Sequence, residues 1–138
     1  MNDYFAPCLE PQAVNAISAL GLAHVGDGVW DLLVRTYLCA HGSVTSKNLH
    51  QSTVAHVSAP AQARVVDQLL PNLSEEELTV YKRGRNAHVS AVPKNATPGE
   101  YAKATGLEAL FGYLYLTGRT ERVNQLFAAA MGEDDHAA

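Results

Sequence analysis

The sequence predicts an all-α fold, a bundle of six or seven helices, and three observations support this prediction. Apolar residues recur at helical spacing along most of the 138 residues, whereas convincing alternation with a period of two is absent. Ser74 is followed three residues later by Glu77, and Thr97 by Glu100, and this spacing is typical of the capping box that opens a helix. Prolines near candidate helix starts and glycines near candidate ends complete the pattern.

Apolar periodicity and end signals place the first three helices. We expect a short helix over residues 11–20, which a proline opens, and a longer one over residues 22–41, which Gly42 ends. A third helix is expected over residues 46–57, with Ser46 as its N-terminal cap, because a serine hydroxyl can accept a free N–H of the first turn.

The last four helices are predicted from Pro60, which marks a new helix start, from the two capping boxes and from a final apolar stretch. Pro60 lies near the first-turn position of the fourth helix. The acids of the first capping box suit the positive end of the fifth helix, which is expected to fade near Gly84. The box at Thr97 opens the longest apolar segment, which is expected to end at Gly118, and a last helix covers residues 120–131.

Length and composition limit the class of protein. A chain of 138 residues with 47% hydrophobic and 17% charged residues suits one globular domain, expected over residues 1–131 with a disordered tail over 132–138. The longest apolar run is far shorter than the roughly 18 residues of a membrane span, and we expect no secretory signal. Cys8 and Cys39 have no metal-binding spacing, so a reducing, cytoplasmic location is expected, with no membrane association.

The net charge of −4 disfavours a polyanionic partner, but the charges are unevenly distributed. Five basic residues and one acidic residue lie in the segment 82–103, and such a patch can attract phosphates over about a Debye length. Arg, Lys, Asn and His side chains suit the phosphates and 2′-hydroxyls of an RNA duplex. The candidate RNA-binding residues are Lys82, Arg83, Arg85, Asn86, His88, Lys94 and Asn95. A solvated loop without a partner is the alternative that charge alone leaves open.

Two acids in otherwise apolar helical stretches, Asp27 and Glu108, are the candidates for catalysis and for metal binding. A carboxylate on the inner side of a helix is costly unless it is paired, hydrogen-bonded or bound to a cation. Mg²⁺ needs only one or two carboxylates, and such an ion can activate water for attack on a phosphodiester. Glycines lie within four residues on both sides of each acid, so we expect two closely crossing helices with the carboxylates at the contact. Helix packing without a function, or acids that cap helices or face solvent, are the alternatives.

Taken together, these residues resemble the catalytic domains of the ribonuclease III family. Residues 24–29 are similar to the first helix signature of that family, and residues 106–115 are similar to the second. Three further segments resemble mini-ribonuclease III specifically, namely 57–63, 82–87 and 92–96. The resemblance covers roughly residues 20–127, and the order of its motifs is the expected one.

The resemblance implies a homodimeric domain that cleaves double-stranded RNA with Mg²⁺, or with Mn²⁺ as an alternative. It also implies maturation of the 23S ribosomal RNA precursor in the bacterial cytoplasm. Asp27 and Glu108 match the two family carboxylates and are expected to hold the metal ion. Ala23 and Thr105 stand where the wider family has further acids, and His24 stands where the mini family tends to have an aromatic residue.

We expect no separate double-stranded-RNA-binding domain, so the segment 82–95 is expected to supply much of the contact with RNA. Two other classes of function remain open at this stage. One is a domain of the same fold that holds structured RNA without cutting it. The other is a protein-interaction domain in which the helices only dimerise.

Overall fold

The computed structural model describes residues 2–42, 45–87 and 91–133, and in these residues the chain forms seven α-helices and no strand. The helices are α1 (Pro11–Asn15), α2 (Ala19–His41), α3 (Ser46–Val57), α4 (Ala59–Leu69), α5 (Glu75–Arg85), α6 (Pro98–Leu116) and α7 (Thr120–Ala130). The predicted all-α fold class is therefore confirmed. Most of the predicted disordered tail, from residue 134 onward, lies outside the described residues.

Both predicted capping boxes are present. The Ser74 hydroxyl accepts the N–H of Glu77, and the Glu77 carboxylate accepts the N–H of Ser74. Thr97 and Glu100 make the same pair of hydrogen bonds at the start of α6. Each box therefore satisfies two N–H groups at a helix start, where helical partners are lacking.

The junction between α1 and α2 differs from the prediction. Helix α1 is short, and α2 begins at Ala19 instead of near Leu22. The Ser18 hydroxyl accepts the N–H of Gly21 and so caps the long helix earlier than the apolar pattern indicates.

Other helix ends differ from the prediction by one or two residues. The cap of α3 is Thr45, not Ser46, because the Thr45 hydroxyl accepts a backbone N–H of the first turn. Helix α5 continues to Arg85, and α6 ends at Leu116, two residues before Gly118. Gly118 has a φ of 77°, a left-handed conformation that glycine adopts without steric cost.

Helix α6 lies at the centre of the fold. Eleven of its residues are buried, and they lie all round the helix because α2, α4 and α5 pack against it on different sides. Trp30 of α2 meets Phe111 of α6 and Phe127 of α7 edge-on, with ring centroids 5.1 and 5.4 Å apart. In the part of the chain that the structure describes, no helix has the length and hydropathy to cross a membrane.

Candidate active site

Helices α2 and α6 cross with their backbones in direct contact, and two glycines allow this approach. A Cβ added at Gly26 would overlap the carbonyl group of Glu108, and one added at Gly112 would overlap the carbonyl oxygen of Leu22. No larger residue fits at either position without separating the helices. The predicted close crossing is therefore confirmed at these two glycines, and it brings Asp27 next to α6.

The other glycines near the two acids have different surroundings. Gly28 is exposed, and an added Cβ would have no atom within 4 Å, so this glycine does not belong to the crossing. Gly106 faces α5, where an added Cβ would lie 2.7 Å from Cε1 of Tyr81. Gly84 lies on the α5 side of the same contact, where an added Cβ would lie 2.6 Å from the Cβ of Ala109. Close contacts with both α2 and α5 thus fix the position of α6.

Glu108 is a partly buried acid whose charged form is disfavoured by its surroundings. Burial and the nearby charge of Asp27 raise the pKa of Glu108 to about 8, while a hydrogen bond from Gln62 opposes this rise. In the absence of a cation, Glu108 therefore carries a proton at neutral pH. A cation at this position would favour its ionised form. The two predicted carboxylates interact, although 81 residues separate them in the chain (108 − 27).

Asp27 is exposed, which corrects the expectation that both acids are buried. It lies one position after Gly26, so it points about 100° round the helix from the direction of the crossing. The residues of α2 that are buried are Leu22, Ala23, Gly26, Trp30 and Val34. The pair thus combines an exposed carboxylate with a partly buried one and is open to solvent on the side of Asp27.

The donor atoms of this pair fit a hard cation such as Mg²⁺. Asp27 and Glu108 supply carboxylate oxygens from two helices, and Mg²⁺ commonly binds through one or two carboxylates while it keeps several waters. Within residues 2–42, 45–87 and 91–133, no group of three or more His, Cys, Asp or Glu residues is arranged to hold a metal ion. An ion held by this pair would therefore complete its coordination with water or substrate oxygens.

Gln62 belongs to the site, although its sequence context does not predict a role for it. It lies in the first turn of α4, only 2% of its surface is exposed, and its Nε2 donates to Oε2 of Glu108 at 3.3 Å. Ala61 and Ala63 on either side are also buried, so α4 presents small side chains around the glutamine. In the sequence, the only local sign of a role for Gln62 is that a polar residue stands between two alanines, and this pattern does not indicate that it contacts Glu108.

The candidate RNA-binding residues lie at the end of α5 and in the segment that follows it, and we call residues 82–95 the basic segment. Four of them belong to the last turn and C-cap of α5, namely Lys82, Arg83, Arg85 and Asn86. Two are exposed before α6, namely Lys94 and Asn95. His88 lies outside the described residues. Lys103, the last base of the wider charge cluster, pairs with Asp67 at 2.7 Å and adds less free positive charge than predicted.

Two arginines of the basic segment have partners within the chain. Arg83 Nη2 donates to the carbonyl oxygen of Ile17 at 3.2 Å and links α5 to the residues before α2. Arg85 Nε donates to Oδ1 of Asn86 at 3.1 Å, and its guanidinium lies 5.8 Å from the centroid of the Tyr81 ring. Arg83 therefore has a structural contact that the charge pattern did not predict.

An apolar groove of about 270 Å³ lies on the outer face of α2, next to the position of Asp27. Its walls are Tyr4, Phe5, Val25, Val29, Leu32 and Tyr115, with Gly28 beside them. Phe5 is 84% exposed and Leu32 is 54% exposed. Contiguous apolar side chains on a surface are typical of a protein–protein contact.

Comparison with known proteins gives consistent matches across most of the chain. Residues 20–119 match the family model described as the ribonuclease III domain. Similar proteins from several bacteria are named Mini-ribonuclease 3. The one from Symbiobacterium thermophilum is 45% identical over 111 residues, which cover 80% of this chain and 85% of the relative. The one from Brevibacillus brevis is 47% identical over 123 residues, which cover 86% of this chain and 92% of the relative.

A solved structure is also similar. The crystal structure of a protein from Fusobacterium nucleatum matches with a TM-score of 0.77 at 30% identity, covering 83% of this chain and 92% of that chain. The family match at residues 20–119 includes Asp27, Gln62, Glu108 and the basic segment.

Proposed function

Because the chain belongs to the ribonuclease III family, we propose that it cleaves double-stranded RNA with a divalent cation held by Asp27 and Glu108. As a member of this family, the chain is an endoribonuclease, a hydrolase of RNA phosphodiester bonds. The observation that carries the assignment of the site is the placement of a partly buried Glu108 next to Asp27, where burial and then the Asp27 charge raise the pKa of Glu108 to about 8. A carboxylate whose charge is disfavoured in this way, with a second carboxylate beside it, is well suited to a shared cation.

The two acids have different roles in this proposal. Glu108, partly buried and hydrogen-bonded by Gln62, supplies a fixed ligand oxygen. Asp27, which is exposed, supplies a second ligand on the side from which RNA and water approach. Mg²⁺, with Mn²⁺ as an alternative, would activate water and screen the charge that develops on the phosphodiester.

The basic segment is proposed to hold the RNA duplex. Lys82, Lys94 and Asn95 are exposed, so their side chains are accessible to phosphates and 2′-hydroxyls. Arg85 and Asn86 are hydrogen-bonded to each other and present a combined polar surface at the end of α5. These charged and polar side chains would contact the RNA backbone and would not stack on bases.

A homodimer is proposed to form through the apolar groove of α2. Asp27 lies on the same helix as Val25 and Val29 of the groove, so a second copy would dock next to the catalytic carboxylate. The dimer would present two carboxylate pairs to one duplex, one for each strand. As substrate we propose the 23S ribosomal RNA precursor, and as location the cytoplasm, because the resemblance to mini-ribonuclease III implies both.

Incubation of the purified protein with duplex RNA tests the proposed reaction. We expect RNA fragments in Mg²⁺ and none in EDTA. Asp27→Asn should abolish cleavage without unfolding the protein, because Asp27 is exposed and the change removes a charge while it keeps the shape. RNA binding without fragments, independent of metal, would instead indicate a non-catalytic RNA-binding domain, and full activity of Asp27→Asn would rule out the metal assignment.

A further inference from the structure

We propose that Gln62 is a positioning residue for the Glu108 carboxylate, and that it holds one carboxylate oxygen so that the other is directed to the divalent cation. This inference rests on the proposed function, because it concerns the same site. Gln62 does not contact the reacting atoms in this proposal. It acts through Glu108.

The geometry of Gln62 supports this role. Its Nε2 lies 3.3 Å from Oε2 of Glu108, and the donor residue is 2% exposed, so water does not compete freely for the hydrogen bond. Asp27, the other group close to this carboxylate, is acceptor-only when ionised and then cannot orient an ionised Glu108 by a hydrogen bond. Among the residues that the structure describes, Gln62 is the side chain that donates to Glu108.

Helix α4 holds Gln62 in a fixed place. Ser58 caps the helix by accepting the N–H of Ala61, and the N–H of Gln62 donates to the carbonyl oxygen of Ser58 at 2.9 Å. Val66 and Leu69 anchor the same helix in the core, each 2% exposed. The side-chain amide therefore starts from a rigid backbone and has little freedom to leave Glu108.

The side-chain amide of Gln62 is compatible with a cation site at Glu108. A lysine or arginine at this position would orient Glu108 equally well, but its positive charge would neutralise the carboxylate and repel the metal ion. A glutamine donates a hydrogen bond and leaves the negative charge available. Groups that orient metal ligands in this way commonly affect metal affinity when they are removed.

Direct binding of Mn²⁺ to the full chain, without RNA, tests the inference. Gln62→Met keeps a side chain of similar length and removes the donor. We expect its Mn²⁺ affinity, measured by isothermal titration calorimetry, to be about 10–100-fold weaker than that of the unmodified protein. Gln68→Met is the matched control, since it makes the same substitution at an exposed position of α4 and should leave the affinity unchanged.

A second measurement separates positioning from a merely structural role. For Gln62→Met, the Mg²⁺ concentration that half-saturates RNA cleavage should rise by a similar factor, and excess Mg²⁺ should restore most of the rate. A structural role alone would lower the melting temperature in EDTA and leave the Mn²⁺ affinity of the folded protein unchanged. If Gln62→Met does not fold, Gln62→Asn takes its place, because this amide is one methylene too short to reach Glu108.

The outcomes distinguish this inference from the proposed function. If the unmodified protein binds Mn²⁺ and cuts RNA while the folded Gln62 variant binds Mn²⁺ equally well, only the role of Gln62 is overturned. If the unmodified protein neither binds Mn²⁺ nor cuts RNA, the proposed function and this inference are both overturned. A selective loss of Mn²⁺ affinity in the variant, with Gln68→Met unaffected, supports the inference.

Discussion

Among the individual residues, Glu108 makes the stability of the metal-free protein depend on pH. Its pKa is about 8 in the folded chain, against an ordinary value of 4.5, because burial and the charge of Asp27 disfavour ionisation. Between these two values the folded state binds more protons at this residue than the unfolded state does. The contribution of Glu108 to stability is therefore full at acidic pH and decreases as the pH rises toward 8.

A comparison of thermal melting at two pH values checks this effect. In EDTA, the melting temperature of the unmodified protein should fall from pH 5.5 to pH 8 relative to that of Glu108→Gln, which has no charge to bury. We expect the difference to be on the order of several degrees, as for a change of a few kcal/mol in a domain of this size. Glu121→Gln, at an exposed position of α7, serves as control, and parallel pH profiles for Glu108→Gln and the unmodified protein would contradict the prediction.

The sequence identified Asp27 and Glu108 as candidates but not their surroundings. Both acids stand out because a carboxylate in an apolar helical pattern is unusual, and this is a local signal. The exposure of Asp27 and the partnership of Gln62 with Glu108 depend on how distant helices pack. The latter contact joins residues 46 positions apart. Apolar periodicity does not reveal such contacts, because it is a property of one helix at a time.

On the scale of helices, α6 is positioned by close contacts with α2 and α5 and, near its C-terminal end, by contacts of two α5 acids with Tyr113 and with arginines at the start of α7. At the start of α5, Glu76 accepts hydrogen bonds from Arg119 and Tyr113, and both lower its pKa. Burial favours a higher pKa for Glu77, but hydrogen bonds from Arg122 and from the capping box hold the net value below normal. Both acids therefore stabilise the junction of α5, α6 and α7 at neutral pH, and this contribution is lost as the pH falls below about 4.5.

The crossing of α2 and α6 predicts a large difference between two glycine substitutions. Gly26→Ala should destabilise the protein by more than the roughly 1–3 kcal/mol of ordinary overpacking, because the new Cβ would overlap the backbone of Glu108. It should also reduce RNA cleavage by separating Asp27 from Glu108. Gly99→Ala, in the first turn of α6, meets only Thr97 Oγ1 at 4.0 Å and should raise stability by up to about 1 kcal/mol. Urea denaturation of both variants measures the effect, and equal stabilities would show that the crossing is not rigid.

Helix boundaries were predictable where their signals are local. The capping boxes at Ser74 and Thr97 need only four consecutive residues, and both form. The start of α2 was misplaced because periodicity does not show that Ser18 caps the helix. The hydrogen bond from Arg83 to Ile17 was not predictable, since it spans 66 positions and a basic cluster indicates solvent or RNA equally well.

For the molecule as a whole, Asp27 of the proposed catalytic pair and the apolar groove lie on the same helix, α2, so activity and assembly are expected to be linked. Leu32 projects from the outer face of α2 with 54% of its surface exposed. The proposed homodimer would remove this side chain from water, so a charge placed there would be buried at the interface. Leu32→Glu should therefore yield a monomer that keeps its fold, since the position is exposed within one copy.

Size-exclusion chromatography with light scattering, together with circular dichroism, measures this outcome. Val54→Glu on α3 is the matched control, because Val54 is a similarly exposed apolar residue, at 46%, outside the groove, and this variant should remain dimeric. On duplex RNA, the Leu32→Glu monomer should lose paired cuts in the two strands, because each copy carries a single carboxylate pair. A dimeric Leu32→Glu variant would place the interface elsewhere, and a monomeric unmodified protein with full double-strand cleavage would exclude the homodimer as the active form.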